Sequence, residues 1–196
     1  MSELKIKVLK GQNILPYLTD LAHLRIHLFK EYPYLYQGSM AYEKEYLQTY
    51  AGTAESIMVV VLDNEKVVGA STAVPLICET IECQKPFIEN QIDINHVFYF
   101  GESLLSPNYR GQNIYRHFFH EREQAARRAG CSMSAFCAVV RDEHDPRKPS
   151  TYQNLEPVWK HFGYQPMKDL VAYYKWQEID EEKETEKPMM FWSKLL

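Results

Sequence analysis

No apolar run in this chain approaches the ~20 residues that a membrane-spanning helix needs; the longest unbroken aliphatic stretch is Ile57–Leu62. Basic residues are not in excess either. The 22 Lys and Arg stand against 26 Asp and Glu, a formal net charge of -4, so the chain lacks the positive field that draws proteins to nucleic acid. Cysteine is sparse: Cys78, Cys83, Cys131 and Cys137 fall in C-x4-C and C-x5-C spacings, neither of which is a CxxC zinc or redox knuckle. A chain of 196 residues also buries enough core to fold without disulfide staples. No apolar h-region follows Lys5, Lys7 and Lys10, so no secretory signal is expected. No period of ~20–50 residues repeats, which sets solenoids and propellers aside. What remains, 45% hydrophobic and 24% charged, is ordinary globular composition. The expectation is a reduced, cytoplasmic, single-domain protein over residues 1–196, with neither nucleic acid nor membrane as partner.

The periodicities give the elements. Leu4, Ile6 and Val8 alternate with lysines, the period of a half-buried strand. Leu18, Leu21, Leu24 and Leu28 recur at three and four residues, an amphipathic helix, which should stop near Tyr32-Pro33 because the residue before proline is pushed out of the helical region. A more polar helix is expected over Met40–Tyr50. Ser56–Leu62 and Lys66–Pro75 are β-branched and flank Asp63-Asn64-Glu65, a hairpin. Residues 76–95 read as a long irregular loop with room for a helical turn. His96–Leu105 is apolar on both faces, as in a central strand. A helix from about Asn113 to Gly130, a strand over Met133–Val140, a short helix over Glu156–His161 and aromatic-rich strands over Leu170–Gln177 and Pro188–Leu195 complete the chain. The order β-α-α-β-β-β-α-β-α-β-β predicts an α/β domain on a mixed sheet of about six to seven strands flanked by helices, with a strand–helix–strand unit at its centre.

Chemistry concentrates between Phe98 and Gly130. A buried strand runs into a loop holding Arg110, Gly111, Gln112 and Asn113, and a helix begins at once. Such a junction aims unpaired backbone N–H groups and the positive end of the helix dipole into one place, which suits phosphate. The run Ser106-Pro-Asn-Tyr-Arg-Gly-Gln-Asn-Ile-Tyr resembles the acetyl-CoA pyrophosphate loop of the GNAT N-acetyltransferases, (Q/R)-x-x-G-x-(G/A). The element order matches that fold over nearly the whole chain. Trp159-Lys-His-Phe-Gly-Tyr resembles the family's Y-x-x-x-G-F helix end, and Lys187-Pro-Met-Met-Phe-Trp its closing strand. Asn113 stands where the pattern has its first glycine, and Asn tolerates left-handed backbone angles. Tyr115 stands in place of the second small residue, so either its ring points aside or the cofactor sits differently.

The resemblance implies acetyl-CoA as co-substrate, without metal, and transfer of its acetyl group to a primary amine by direct attack in a ternary complex. Arg110, Gly111, Gln112, Asn113, Ile114 and Tyr115 are then the pyrophosphate loop, and backbone at Leu104 and Leu105 meets the pantetheine arm and the thioester oxygen. Glu102 is the candidate general base: alternation places it on one strand face with Phe98, Phe100 and Leu104, and burial shifts a carboxylate toward the range a base needs. The other reading of Glu102 is a hydrogen-bonded structural residue at a strand bulge. For a general acid the family often has Tyr where this chain has Trp159, whose indole cannot protonate a thiolate; Tyr164, Tyr152 and solvent are the candidate substitutes. Tyr34 and Tyr36 follow the first helix, where the fold lines its acceptor pocket, and suit a cationic amine by cation–π contact or serve as ordinary packing.

Other features carry plainer readings. His117 and His120 are solvated helix residues, and Cys78, Cys83 and His96 match no metal spacing. The connection Glu178–Glu186 holds six carboxylates against one Lys and reads as a solvated hairpin tip that could steer a basic amine inward. Arg141–Thr151 is a polar loop with two prolines, and its charge-mixed part Arg141–Arg147 reads as a mobile loop on the acceptor side. The partner is thus a small-molecule or peptide amine, with a homodimer left open. The alternative, motivated by Tyr115 and Trp159, is a non-catalytic module of the same fold that binds a CoA thioester or a protein partner.

Overall fold

A computed structural model describes residues 4–196. The strands are β1 (Leu4–Lys10), β2 (Ile57–Asp63), β3 (Lys66–Pro75), β4 (Val97–Leu105), β5 (Met133–Val139), β6 (Gln165–Trp176) and β7 (Thr185–Leu195). They form one seven-stranded sheet in the order β1-β2-β3-β4-β5-β7-β6. Helices α1 (Leu18–Phe29), α2 (Met40–Gly52) and α3 (Ile81–Glu89) cover one face, and α4 (Ile114–Arg128) and α5 (Glu156–His161) the other. Neighbouring strands are antiparallel except β4 and β5, which the α4 crossover joins in parallel. Among the described residues no helix is long and apolar enough to cross a membrane.

Two sequence expectations give way here. The stretch 76–95, read as a loop, contains α3. Pro86 sits inside that helix and removes one backbone donor, which hides the periodicity. Burial of Cys83, Pro86 and Phe87, with the Phe87 ring 4.8 Å from that of Phe191, overrides the local cost. Strand β1 is not half-buried as its alternation suggested, for Ile6 and Val8 are 37% and 44% exposed. It is an edge strand with a neighbour on one side only, and Leu4 and Leu9, near its ends, are the residues that pack against the cores.

The decisive irregularity lies in β4. Val97 and Tyr99 face α3, and Phe98 and Phe100 face α4. Strict alternation would keep Glu102 and Leu104 with Phe100. Instead the β3–β4 register shifts between Ser71 and Ala73, so that Ser71 pairs with Ser103 but Ala73 with Phe100. The extra residue is a β-bulge at Gly101–Glu102, and a bulge inverts the side on which every later residue points. Leu104 therefore joins the α1–α2 core and Leu105 the α4 core. The expectation that Glu102 shares a face with Phe98 and Phe100 is corrected accordingly: it faces α1.

Arg122 of α4 holds the bulge from behind. It is 1% exposed, and its guanidinium donates to the carbonyls of Glu102 (3.1 Å) and Thr72 (3.4 Å) and to the Ser103 hydroxyl (2.8 Å). The Phe100 ring lies 4.2 Å away. Burial holds the pKa of Arg122 down to about 10. In front, Gly101 has no room for a side chain, since a Cβ there would stand 2.1 Å from Tyr50 Oη and 2.7 Å from Thr72 Oγ1. Replacing Gly101 by Ala should destabilise the fold by about 1–3 kcal/mol, the cost of overpacking a close contact. Gly52→Ala, where a Cβ meets nothing within 4 Å, should be neutral or stabilise by up to about 1 kcal/mol. Urea denaturation of the two variants checks the contrast, and a Gly101→Ala protein as stable as wild type would refute it.

Candidate functional site

Strands β4 and β5 pair only from Val97 to Tyr99 on β4 and from Met133 to Ala135 on β5. Beyond that point β5 stays with β7 up to Val139, while β4 runs on to Leu105 with β3 alone. The two parallel strands thus open into a wedge, and the β5-facing backbone of β4 loses its ladder partner. Leu104 and Leu105 lie on its β4 side.

The mouth of the wedge is the start of α4. Gly111 (φ +76°) and Asn113 (φ 63°) both take left-handed backbone angles, as the sequence reading of Asn113 required. Asn113 makes no side-chain capping bond, and the first turn carries no acidic residue, so among the described residues the Ile114 and Tyr115 N–H groups that open this 15-residue helix have no partner and can meet an anion, while that of Arg116 bonds the Asn113 carbonyl. Arg110, Gly111, Gln112 and Asn113 are exposed there, and Ile114 is buried as the helix anchor. Arg110 Nε lies 3.4 Å from the Leu105 carbonyl.

The question posed by Tyr115 is answered by its hydroxyl, which donates to the Ser103 carbonyl at 3.0 Å. Its ring lies aside against Phe118, 5.7 Å between centroids. The chain therefore places a phenol against β4 where the wedge begins to open. Further along α4, a cleft of about 250 Å³ is lined by Arg116, His120, Glu123, His161, Phe162 and Lys194.

On the opposite face of the bulge lies a buried polar network that the sequence reading missed. Arg25 of α1 bridges Glu102 of β4 and Glu43 of α2 (2.5 Å to the latter), and the Thr72 hydroxyl donates to the other Glu102 oxygen. The isolated carboxylate expected at position 102 is not what the fold contains: both oxygens are engaged, because a buried charge must be paired. The Arg25 guanidinium lies 4.7 Å from the Tyr46 ring and 5.1 Å from that of Phe29. Tyr50 donates to the buried Glu79 at 2.8 Å. Long-range pairings such as Arg25 with Glu102 leave no local signature in a sequence.

Tyr164 is corrected as well. It is fully buried on the α4 face, opposite Glu102, among Phe100, Phe119 and Phe136. Its hydroxyl is shared with Ser134 (2.8 Å) and Glu123 (3.2 Å), and burial pushes its pKa upward. Gly163, at φ +90°, turns the chain inward behind α5, so the following ring becomes core. Trp159 packs against Phe136 and Trp192, and Tyr152 meets Tyr32 edge-on at 4.8 Å. None of these reaches Glu102.

Tyr34 and Tyr36 do reach the α1 side. Tyr34 packs against Phe29 (4.5 Å) and Trp176 (6.4 Å), and Tyr36 forms a bridge with Glu178. Burial, then the nearby Glu43 carboxylate, raises the Tyr36 hydroxyl. The acidic connection is exposed along most of its length, as a solvated tip should be, but its first residue and loop 141–147 are joined by ion pairs. Glu178 is 1% exposed and receives Arg141 at 2.6 Å together with Arg147. Arg141 also donates to the Pro33 (2.6 Å) and Tyr34 (3.1 Å) carbonyls. Segment 33–37, loop 141–147 and the β6–β7 connection are thereby strapped into one wall. The like charges of the connection become tolerable once these arginines face them.

No protein-family model matches the chain, and no curated protein matches its sequence. Solved structures do match in fold. An acetyltransferase from Streptococcus agalactiae aligns with TM-score 0.60 at 17% identity over 98% of each chain. A ribosomal-protein-alanine N-acetyltransferase from Brucella melitensis aligns with TM-score 0.59 at 14% identity over 98% of this chain and 99% of its own. An aminoglycoside 6'-N-acetyltransferase complexed with coenzyme A aligns with TM-score 0.57 at 16% identity over 97% and 96%. The chain has the fold of the GNAT acetyltransferases, as its sequence resemblance implied.

The strap predicts an acid response. Hydrogen bonds from the Arg147 side chain and backbone hold the Asp145 carboxyl at about 2. At Glu181 burial opposes the charge, but the hydrogen bonds from Lys187, Glu178 N–H and the Thr185 hydroxyl prevail and hold it at about 2 as well. A depressed carboxyl stabilises fully above its unfolded value near ~4 and loses that contribution as pH falls through its folded value. Stability should therefore drop between about pH 4 and pH 2, with a shallower slope in Asp145→Asn. Equal slopes in urea titrations of the two proteins would refute the assignment.

Proposed function

We propose that the protein is an acyl-CoA-dependent N-acetyltransferase that moves an acetyl group from acetyl-CoA to a primary amine by direct attack in a ternary complex. The observation that carries this reading is the wedge between β4 and β5 with the uncapped start of α4 at its mouth. It supplies, in line, an anion site and a strand with free backbone groups. Acetyltransferases of the same fold, one of them solved with coenzyme A, support it.

In this reading the loop Arg110–Tyr115 takes the pyrophosphate on its N–H groups, and Arg110 turns from the Leu105 carbonyl to meet it. The basic side of the α4–α5 cleft, Arg116 and His161, suits the nucleotide end. Backbone at Leu104 and Leu105 binds the pantetheine arm and polarises the thioester carbonyl; one such donor is worth roughly 3–4 kcal/mol of barrier. The amine enters between α1 and the wall of Tyr34, Tyr36 and the strapped loop. Glu102 serves there by fixing Arg25 across the acceptor side. With Tyr164 in the core, the departing thiolate takes its proton from the attacking nitrogen or from water.

A second reading, a non-catalytic module that binds a CoA thioester or a protein partner, is favoured by one observation. The Tyr115 hydroxyl already occupies the Ser103 carbonyl, next to where the pantetheine arm would lie.

Acetyl-CoA at ~100 times its dissociation constant should stabilise the protein by about 2.7 kcal/mol, and free acetate should not. Arg110→Ala should raise KM for acetyl-CoA while leaving that of the amine unchanged. A thermal scan without a shift at millimolar acetyl-CoA rejects the acetyltransferase reading. Binding without CoA release across a panel of amines selects the non-catalytic one.

A further inference from the structure

Three carboxylates lie buried near the bulge: Glu43, Glu79 and Glu102 are 0%, 8% and 4% exposed. Arg25 pairs with Glu43 and Glu102. Among the described residues no cation pairs with Glu79. Its Oε1 accepts from Tyr50 Oη at 2.8 Å and its Oε2 from Thr80 N–H at 3.3 Å. Tyr50 Oη in turn lies 3.0 Å from Tyr46 Oη. A phenol has one proton to give, and Tyr50 gives its own to Glu79. The proton between the two phenols therefore belongs to Tyr46, whose oxygen is left as an acceptor at the partly exposed end of the chain. The relay skirts the wedge, since Tyr50 Oη fills the space where Gly101 would carry a Cβ.

Resting on the acetyltransferase reading, we propose that Tyr46, Tyr50 and Glu79 form the proton exit for the acceptor amine, with Glu79 as the terminal acceptor and Tyr46 as the group that meets an ammonium substrate. The ammonium passes a proton to Tyr46, Tyr46 passes its own to Tyr50, and Tyr50 passes its own to Glu79, so one proton moves and both phenols end neutral. The freed amine nitrogen then forms the C–N bond to the thioester carbon, the C–S bond breaks, and the thiolate takes the second proton from the new amide nitrogen. Glu79 afterwards returns its proton to solvent by the same chain.

The surroundings suit this task. Glu79 lies within electrostatic reach of Tyr42, Tyr46 and Tyr50 of α2, Arg25 of α1, Glu102 of β4, Cys83 of α3, Cys137 of β5 and Cys78 in the preceding turn. Burial is the strongest influence and raises its carboxyl above the ordinary value; the Tyr50 hydroxyl, the Thr80 N–H and Arg25 work against that rise, and Glu102 adds to it. Glu102 differs from Glu79 in being ion-paired with Arg25 and in accepting from no phenol of the relay.

The test measures CoA release against pH for wild type, Glu79→Gln, Tyr50→Phe and Tyr46→Phe, with a primary amine that wild type accepts. Positioned proton acceptors contribute ~100- to 10,000-fold, so each variant should lose about 100-fold or more at pH 7. Each should also recover as pH rises toward the amine's own pKa, where no acceptor is needed. Tyr46→Phe, at the partly exposed end, keeps the test alive should the buried variants fail to fold. Variants with undiminished rates, or a loss that persists unchanged at high pH, overturn the proposal. A turnover-independent arm follows the Glu79 carboxyl by carbon-13 NMR. It should titrate above an ordinary Glu and move further up in Tyr50→Phe; no movement overturns the link. A wild type that binds acetyl-CoA but releases no CoA with any amine overturns the acetyltransferase reading and the transfer role of the relay together. An active wild type with unaffected variants overturns the relay alone.

Discussion

The fold turns on one irregularity, the bulge at Gly101–Glu102, and on the two arginines that hold it from opposite faces. An extra residue in a central strand leaves backbone carbonyls without ladder partners, in a place where water cannot reach them. Arg122 reaches in from α4 and supplies the missing donors at Glu102 and Thr72. Among the described residues this guanidinium pairs with no carboxylate, and it is stabilised by carbonyl dipoles and by the face of Phe100. Because the bulge reverses the side on which residues point, it also turns Glu102 away from the apolar α4 core and toward Arg25.

The consequences run in both directions along β4. Upstream, the strand pairs with β5 and is covered on both faces. Downstream it departs from β5, and its carbonyls are met by side chains instead: Tyr115 at Ser103 and Arg110 at Leu105. The wedge is therefore not an empty slot. It is a place where the fold has replaced main-chain ladder bonds by side-chain bonds, which a ligand with amide groups can exchange at little net cost, since each bond broken is matched by one formed. Tyr115 is the part of this arrangement that departs most from a loop built of small residues.

Charge is distributed to match. One arginine is shared by two buried carboxylates, and Glu43 Oε1 is left without a partner among the described residues. The third carboxylate, Glu79, is left to a phenol and a backbone N–H, and burial raises its carboxyl toward holding a proton. The second network, around Glu178, has cations enough: Arg141 and Arg147 meet it directly, and Lys187 approaches to 3.7 Å. It acts as a strap, drawing the segment after α1, the loop after β5 and the β6–β7 connection into one wall. The two networks meet at Tyr36, which bridges to Glu178 and lies beside Glu43.

Periodic and local features were legible in the sequence. The β-branched runs of β2 and β3, the leucine stripe of α1, the β4–loop–α4 junction with its tolerant Asn113 and the resemblance carried by Arg110–Tyr115 all rest on residues near one another in the chain. The sequence could not show α3, because Pro86 breaks its pattern and only packing against Phe191 makes the helix worthwhile. Nor could it show that β1 would be an edge strand with Ile6 and Val8 exposed, or that Tyr164 would turn inward behind Gly163. A bulge at Glu102 was one of two readings that the sequence left open, and the pairing with β3 decides between them and sets the side of the sheet that Glu102 faces. The partners of that carboxylate come from Arg25 and Thr72, 77 and 30 residues away. The sequence by itself determined which elements form and where an anion would be welcomed, since helix starts, turns and strand faces follow from short-range sterics and hydrogen bonding. Only the tertiary structure decided which acids are paired and which is left to receive a proton, because charge in a core is settled by what distant segments bring against it.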